Sequence, residues 1–374
     1  MRERQVLLRD AAYDFLPLSD HSQKERFTLH NKVENNTYNG KLILRILVKS
    51  PLHVGSSQQE FDQEGNVTKR HMRRNQTPVI PGSSLKGAVR SIAEAVSYSC
   101  AVSVPNPILK NLLPPGNKSR CSPTNGKLCI TCSIFGMIGA GGYKGKVNFG
   151  EFTLKSGNTI PKKLPSMESP FKDYPDYNKN KELMPERFDV SKEKDRKKPY
   201  KYYGNERLYY CKACEDGDCQ NCTKWEYWEH ITEAGKTRDL EFRGRKFYST
   251  DREKNPDNAV KKDSVDKTTY EMLEPGSILE GEITFQNLRE EEGRLLAYAL
   301  NIGDHFNMKL GYGKPYGYGK IEITVLDAEN MGKRYLTRKS INKDLVKKWA
   351  EEYRKDSGIK NTIERFEQMM KKIQ

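Results

Sequence analysis

Residues 42–48 read LILRILV, and their alternation decides the fold: Leu42, Leu44, Ile46 and Val48 share one face, while Arg45 interrupts the other. A side-chain period of two marks a strand with one buried face. Downstream, Ser83 and Ser84 offer N-caps to Leu85, Val89, Ile92, Ala93 and Val96, whose spacing predicts a helix over 84–97. KVNFGEFTL at 146–154 reads as a second strand weakened by Gly150. The same order then returns. ILEGEITF at 278–285 alternates, EEGRLLAYALNI at 291–302 has helical spacing, and KIEITVL at 320–326 alternates again.

Two β-α-β units predict an α+β protein with a ferredoxin-like (RRM-like) βαββαβ core, an antiparallel sheet with both helices on one face. The open face of such sheets is a common RNA platform. The expected organisation is an N-terminal extension (1–40), a first βαβ half with a cysteine cluster (41–154), a polar Cys-rich insertion (155–277), a second half (278–326) and a C-terminal helical segment (327–374). Residues 50–82 read as a loop, and little apolar periodicity is visible from 155 to 275. In the last segment Leu345, Trp349, Tyr353, Ile363, Phe366, Met369 and Met370 form the apolar stripe of two amphipathic helices, as core packing or subunit contact requires.

The chain has 374 residues, and 65 Lys+Arg against 50 Asp+Glu leave a formal charge of +15. Such an excess suits a polyanionic partner, because each neutralised phosphate releases counterions. No run approaches the ~20 apolar residues of a membrane span, and MRERQVLLRD lacks an apolar leader core, so the cytoplasm is expected. There thiols stay reduced, and eight cysteines point to metal.

CKACEDGDCQNC at 211–222 places Cys211, Cys214, Cys219 and Cys222 in two C-x-x-C turns. Each turn brings two thiolates to one ion, and four complete a closed structural zinc site. A polar insertion would draw folding free energy from that ion. Cys129 and Cys132 form a third C-x-x-C, and with Cys100 and Cys121 they make a second zinc set, with His53 or His71 as substitute ligands. Buried free thiols are the alternative.

VIPGSSLKGAVRS at 79–91 combines Gly82, Ser83, Ser84, Lys86 and Arg90 at a helix N-terminus, the ingredients of an anion cradle. GYGKPYGYG at 311–319 interleaves glycines with Tyr312, Tyr316, Tyr318 and Lys314, flanked by Lys309 and Lys320. Glycines admit a sugar-phosphate chain closely, tyrosines stack bases and lysines neutralise phosphate. KRHMRR at 69–74, with Arg73 and Arg74, adds a basic run, and another lies at 192–203. A charge run is more often a solvated face.

PLHVGSS, VIPGSSLKGAVRS, CITCSIFG at 129–136, RGRKFY at 243–248 and LGYGKPYGYGKIEI at 310–323, in this order, resemble the RAMP superfamily of CRISPR-associated proteins. The C-x-x-C-x-x-F-G block and Cys-rich insertion look most like backbone-type subunits of type III effector complexes. That resemblance implies binding to guide RNA and complementary target RNA beside other RAMP subunits, with the insertion as a projecting thumb. It implies that Ser83, Ser84, Lys86 and Arg90 grip guide phosphates. It also implies that some members cut target RNA with a divalent metal held by an acid after the first strand. Here Glu60, Asp62 and Glu64 lie in that loop; Asp62 is the candidate for Mg²⁺, with solvated loop acids as the alternative.

Other readings stay open. One is the superfamily's metal-independent, repeat-processing endoribonuclease, using His53 or a tyrosine. Another is a terminal, non-catalytic RAMP subunit. A third, a zinc-bearing RNA-associated protein outside CRISPR, leaves the two glycine blocks unexplained.

Overall fold

The computed structural model describes residues 12–19, 21–27, 30–31, 33–61, 63, 67–101, 113–115, 117, 121–138, 141–164, 244–250, 253, 268–331, 339–356 and 358–371, and the backbone alone at 209–211 and 240–242. The first half contains β1 (Tyr38–Val48), β2 (Gly55–Phe61), β3 (Val67–His71), β4 (Arg73–Arg74), β5 (Thr77–Ile80), α1 (Gly82–Ala95), α2 (Ile130–Phe135), β6 (Val147–Phe149) and β7 (Phe152–Ser156). After β8 (Thr159–Lys163) and β9 (Thr268–Leu273) come β10 (Ile278–Leu288), α3 (Glu290–Ala299), β11 (Met308–Lys309), β12 (Lys320–Asn330), α4 (Lys343–Arg354) and α5 (Lys360–Met369).

The large sheet runs β11-β12-β1-β10-β7-β5-β4, with β6 also on β10, and every pairing is antiparallel. Its middle joins the two sequence halves, because β1 lies between β12 and β10. The LILRILV alternation accounts for this. Leu42 is buried opposite Ile283, Leu44 opposite Val325, Ile46 between Leu279 and Ile323, and Val48 opposite Ile321, in one core with Leu85, Val89 and Ile92 of α1. The mixed α+β class is as expected.

The other face of the sheet carries cross-strand charge. Arg45 meets Glu280 at 2.8 Å, Lys41 lies between Glu329 (3.3 Å) and Glu282 (3.7 Å), and Lys49 meets Glu322 at 3.3 Å. Ile43 and Thr324 fill the same face without an aromatic ring. Among the described residues the face thus lacks the stacking surfaces on which an RRM-type sheet holds bases.

Three stretches differ from expectation. Residues 50–82 hold paired strands instead of a loop: β2, β3, β9 and β8 form a second sheet, order β8-β9-β3-β2, in which β3 and β9 are parallel. Polar strands at 55–71 carry no apolar alternation because β2 and β3 bury little of their own surface, the buried residues of this sheet lying mainly on β9. Regular structure also appears before 278, in strands at Thr159–Lys163, Tyr209–Cys211, Leu240–Phe242, Arg245–Phe247 and Thr268–Leu273. The 146–154 strand is broken into β6 and β7, since the Gly150 amide turns aside to the Glu282 carbonyl at 2.9 Å. The two C-terminal helices form as expected, burying Trp349 against Tyr38 (4.7 Å between rings) and Phe366 against Phe247 and Phe306. Among the described residues no helix is long and apolar enough to cross a membrane.

Candidate nucleic-acid interface and metal centre

The 311–319 loop is built against the turn that follows β1. Tyr312 donates its amide to the His53 carbonyl at 3.0 Å, and Gly319 donates to Pro51 at 2.9 Å. Ser50 Oγ donates to the Gly317 carbonyl and accepts from the Lys320 amide, both at 2.8 Å. Gly311 must be glycine: its φ is +76°, and a Cβ there would collide with the His53 carbonyl. The contact continues as a ladder of backbone bonds. Met72 donates to Val54 (2.8 Å) and Val79 donates to Met72 (2.9 Å), two residues before Pro81 and the start of α1. Both glycine blocks therefore hang on one ladder.

The loop's tyrosines are committed to the protein. Tyr312 stacks on Tyr270 with ring centroids 4.7 Å apart and planes 16° apart, Tyr316 is buried, and Tyr318 packs on the cluster of Leu164, Tyr270 and Met272. Lys314 is half-buried, and burial first and the Lys309 charge second hold its ammonium below the usual pKa. Lys309 and Lys320 both reach Glu253, each at 2.8 Å.

At α1 the cap is Pro81, not a serine, and no side-chain cap bond is made. Ser83 and Ser84 fall in the first turn instead, Ser83 exposed, because Pro at the cap already sets the entry angle. The helix N-terminus thus keeps amide donors that a capping side chain would have used. Lys86 lies one turn in, its pKa lowered by burial and then by Arg90. Arg90 points inward. It donates to Glu94 Oε1 (2.8 Å) and to the Gly136 carbonyl (3.0 Å), and Glu94 also receives Arg245 at 2.7 Å.

Arg73 and Arg74 are likewise partnered. Arg74 pairs with Glu151 (2.9 Å), and Arg73 binds the carboxylate of Glu271, which also accepts from Thr159 (3.0 Å) and the His71 amide (3.0 Å). Burial works to raise the Glu271 carboxyl, but Arg73 and these other donors outweigh it and hold it low. His53 donates Nδ1–H to the Glu271 carbonyl at 2.7 Å, because a carbonyl only accepts, so Nε2 carries the lone pair. His53 lines a cavity of about 180 Å³ with Ser56, Gln59, Lys69 and Arg70. Burial lowers the pKa of His53, and pushes His71 down to about 4 with help from the His53 charge. Asp62 lies outside the described residues.

Cys100, Cys121, Cys129 and Cys132 converge, as their spacing predicted. All four are buried and their Sγ atoms lie within 4.8 Å of one another. Cys100 is 3.7 Å from both Cys129 and Cys132, too far for a disulfide and close to the ~3.8 Å edge of a tetrahedron with ~2.3 Å metal–sulfur bonds. The Cys129 amide donates to Cys121 Sγ at 3.0 Å, as a thiolate would require. This cluster can hold a metal ion. His53 and His71 lie instead beside Glu271, so no histidine substitutes for a thiol here. Of the other set, only the Cys211 backbone is described; Cys214, Cys219 and Cys222 lie outside the described residues.

Residues passed over in the sequence prove central: Glu94, Glu253, Glu271 and Glu292 each neutralise inward-pointing cations. Glu94 was detectable, as a lone acid among the apolar positions of α1; the others needed contacts from far along the chain.

The family model of the RAMP superfamily matches residues 45–322. No curated protein matches the chain. Among solved structures, a chain of a Type IV-B CRISPR Complex is similar at 13% identity with a TM-score of 0.31, over 80% of this chain and 93% of that one.

Proposed function

The chain belongs to the RAMP superfamily, and from that membership we propose that it is a guide (CRISPR) RNA-binding subunit of a CRISPR ribonucleoprotein effector complex, of the type III backbone kind. One observation carries the reading: the glycine-rich 311–319 loop, the turn after β1 and the uncapped start of α1 are strung on a single ladder of backbone bonds. Helix amides, Lys86 and the lysines flanking the loop then supply a cationic, sequence-independent path for a phosphate chain. Ser83 and Ser84 stand at its helix end.

The β12-β1-β10-β7 strand order, fourth-first-third-second by halves, supports a ferredoxin-like core. The insertion 155–277 is the thumb in this reading, and its partners are guide RNA, complementary target RNA and neighbouring RAMP subunits. The ion of the Cys100 cluster is taken as zinc, with a purely structural role, because four thiolates leave no open position for substrate.

Purifying the full chain with a CRISPR array transcript and extracting its RNA tests the reading. RNA of defined length is expected; no co-purified RNA and no binding to single-stranded RNA overturns it. Cutting of target RNA by the guide-loaded complex with Mg²⁺, lost in Asp62→Ala, would add the nuclease role, and undiminished cutting takes Asp62 out of it.

The His53 cavity favours a second reading, metal-independent repeat cleavage with His53 Nε2 as base and Lys69 beside it. Cleavage of repeat RNA in EDTA, abolished by His53→Ala, supports it; no cleavage rejects it.

A further inference from the structure

Resting on the RNA-binding reading, we infer that Glu253 occupies a phosphodiester subsite at the 311–319 loop, holding it closed until nucleic acid replaces the carboxylate. Its two oxygens are divided between two lysines, Oε1 to Lys309 and Oε2 to Lys320, each at 2.8 Å. Oε2 also sits where Gly317 has no side chain, 2.5 Å from the place a Cβ would take. Lys309 is almost wholly buried, at 2% side-chain exposure, and it also reaches the carbonyls of Tyr248 (3.2 Å) and Ser249 (3.4 Å). Lys314 adds a third cation close enough to Lys309 for the two to repel.

A carboxylate with one negative charge and two oxygens has the charge and fork of a phosphodiester's non-bridging pair. Exchanging one for the other keeps a counter-charge on buried Lys309. The subsite faces a glycine, and glycines let a nucleic-acid backbone approach closely. Elsewhere too a single acid serves two cations: Glu94 takes Arg90 and Arg245, and Glu271 takes Arg73 with Arg70 at 3.8 Å. The Glu253 bridge differs in lying against the glycine loop, where Gly317 leaves its carboxylate room.

The test is Glu253→Gln in the full chain, which keeps shape and removes charge. With labelled oligouridine, affinity should rise about fivefold or more, as expected of a site no longer self-occupied. The log–log salt slope should steepen by about 0.7. In phosphate-free buffer the variant should melt below the parent chain and recover as inorganic phosphate is added; Lys320→Gln in the same background should abolish that recovery. Unchanged or weaker RNA affinity, or a melting loss that phosphate does not restore, overturns the inference. If parent and variant alike bind no RNA, the functional reading fails, and phosphate recovery alone then decides whether the subsite exists.

Discussion

Lys146 Nζ stands 2.7 Å from Glu292 Oε2, and neither side chain has surface open to solvent. Glu292 also accepts from Ser133 Oγ at 2.6 Å and from the Arg289 amide at 2.8 Å, so one carboxylate ties the Cys132-bearing α2 to the first turn of α3. Burial lowers the Lys146 pKa, and it works to raise that of Glu292, but Lys146 and then Arg289 hold the carboxyl low. The pair is a joint between the four-cysteine cluster and the second half of the fold.

Removing one partner strands the other. Lys146→Ala and Glu292→Ala should each cost about 3–5 kcal/mol in denaturant unfolding, while Lys146→Met with Glu292→Leu should recover most of that. Single losses below about 1 kcal/mol would show that water reaches the pair.

His71 makes stability depend on pH. Its folded pKa is about 4 against 6.5 unfolded, because burial opposes the charged ring. The unfolded chain therefore takes up a proton below pH 6.5 that the folded chain refuses until about pH 4. Stability should fall as pH drops through that window, by roughly 3 kcal/mol from this group, and be flat above it with respect to this group. In His71→Phe the slope between pH 6.5 and 4 should shrink measurably; an unchanged slope would assign it to other groups.

Metal content checks the cysteines. The purified chain should carry one to two zinc equivalents, and Cys132→Ser should lose about one of them and melt earlier. A chain without metal that melts no earlier on substitution would leave four buried thiols and nothing more.

Two glycines should respond oppositely to alanine. Gly311→Ala, at φ +76° and against the His53 carbonyl, should cost about 1–3 kcal/mol and weaken RNA binding with it. Gly87 in α1 has open space around the position of a Cβ, so Gly87→Ala should stabilise by about 0.5–1 kcal/mol. Thermal melts of both variants decide this.

Lys86→Gln should weaken binding to every single-stranded RNA alike and flatten the salt slope by about 0.7, as a phosphate contact does. A sequence-dependent loss would place Lys86 on a base edge.

Much was legible beforehand because it is local. Period-two runs at 42–48, 278–285 and 320–326 are strands of the large sheet, and the helical spacings at 84–97 and 291–302 are α1 and α3 within two or three residues at each end. The C-x-x-C at Cys129 and Cys132 marked half of the four-cysteine cluster that can hold a metal, since a tight turn alone can aim two thiolates. Illegible were the polar strands β2 and β3, which pair without an apolar face, and the fate of the tyrosines at 312, 316 and 318, which read as base-stackers yet pack around Tyr270.

By itself the order of residues determined which apolar segments are strands and helices, which cysteines share a turn and how basic the molecule is, because periodicity, ligand spacing and charge are written along the chain. Only the tertiary structure decided that the glycine loop rests on Pro51 and His53, that Arg73 and Arg90 turn inward to Glu271 and Glu94, and that Glu253 sits between Lys309 and Lys320. Such pairings depend on which distant acids the folded chain brings within about 3 Å of each cation, and no local pattern encodes that distance.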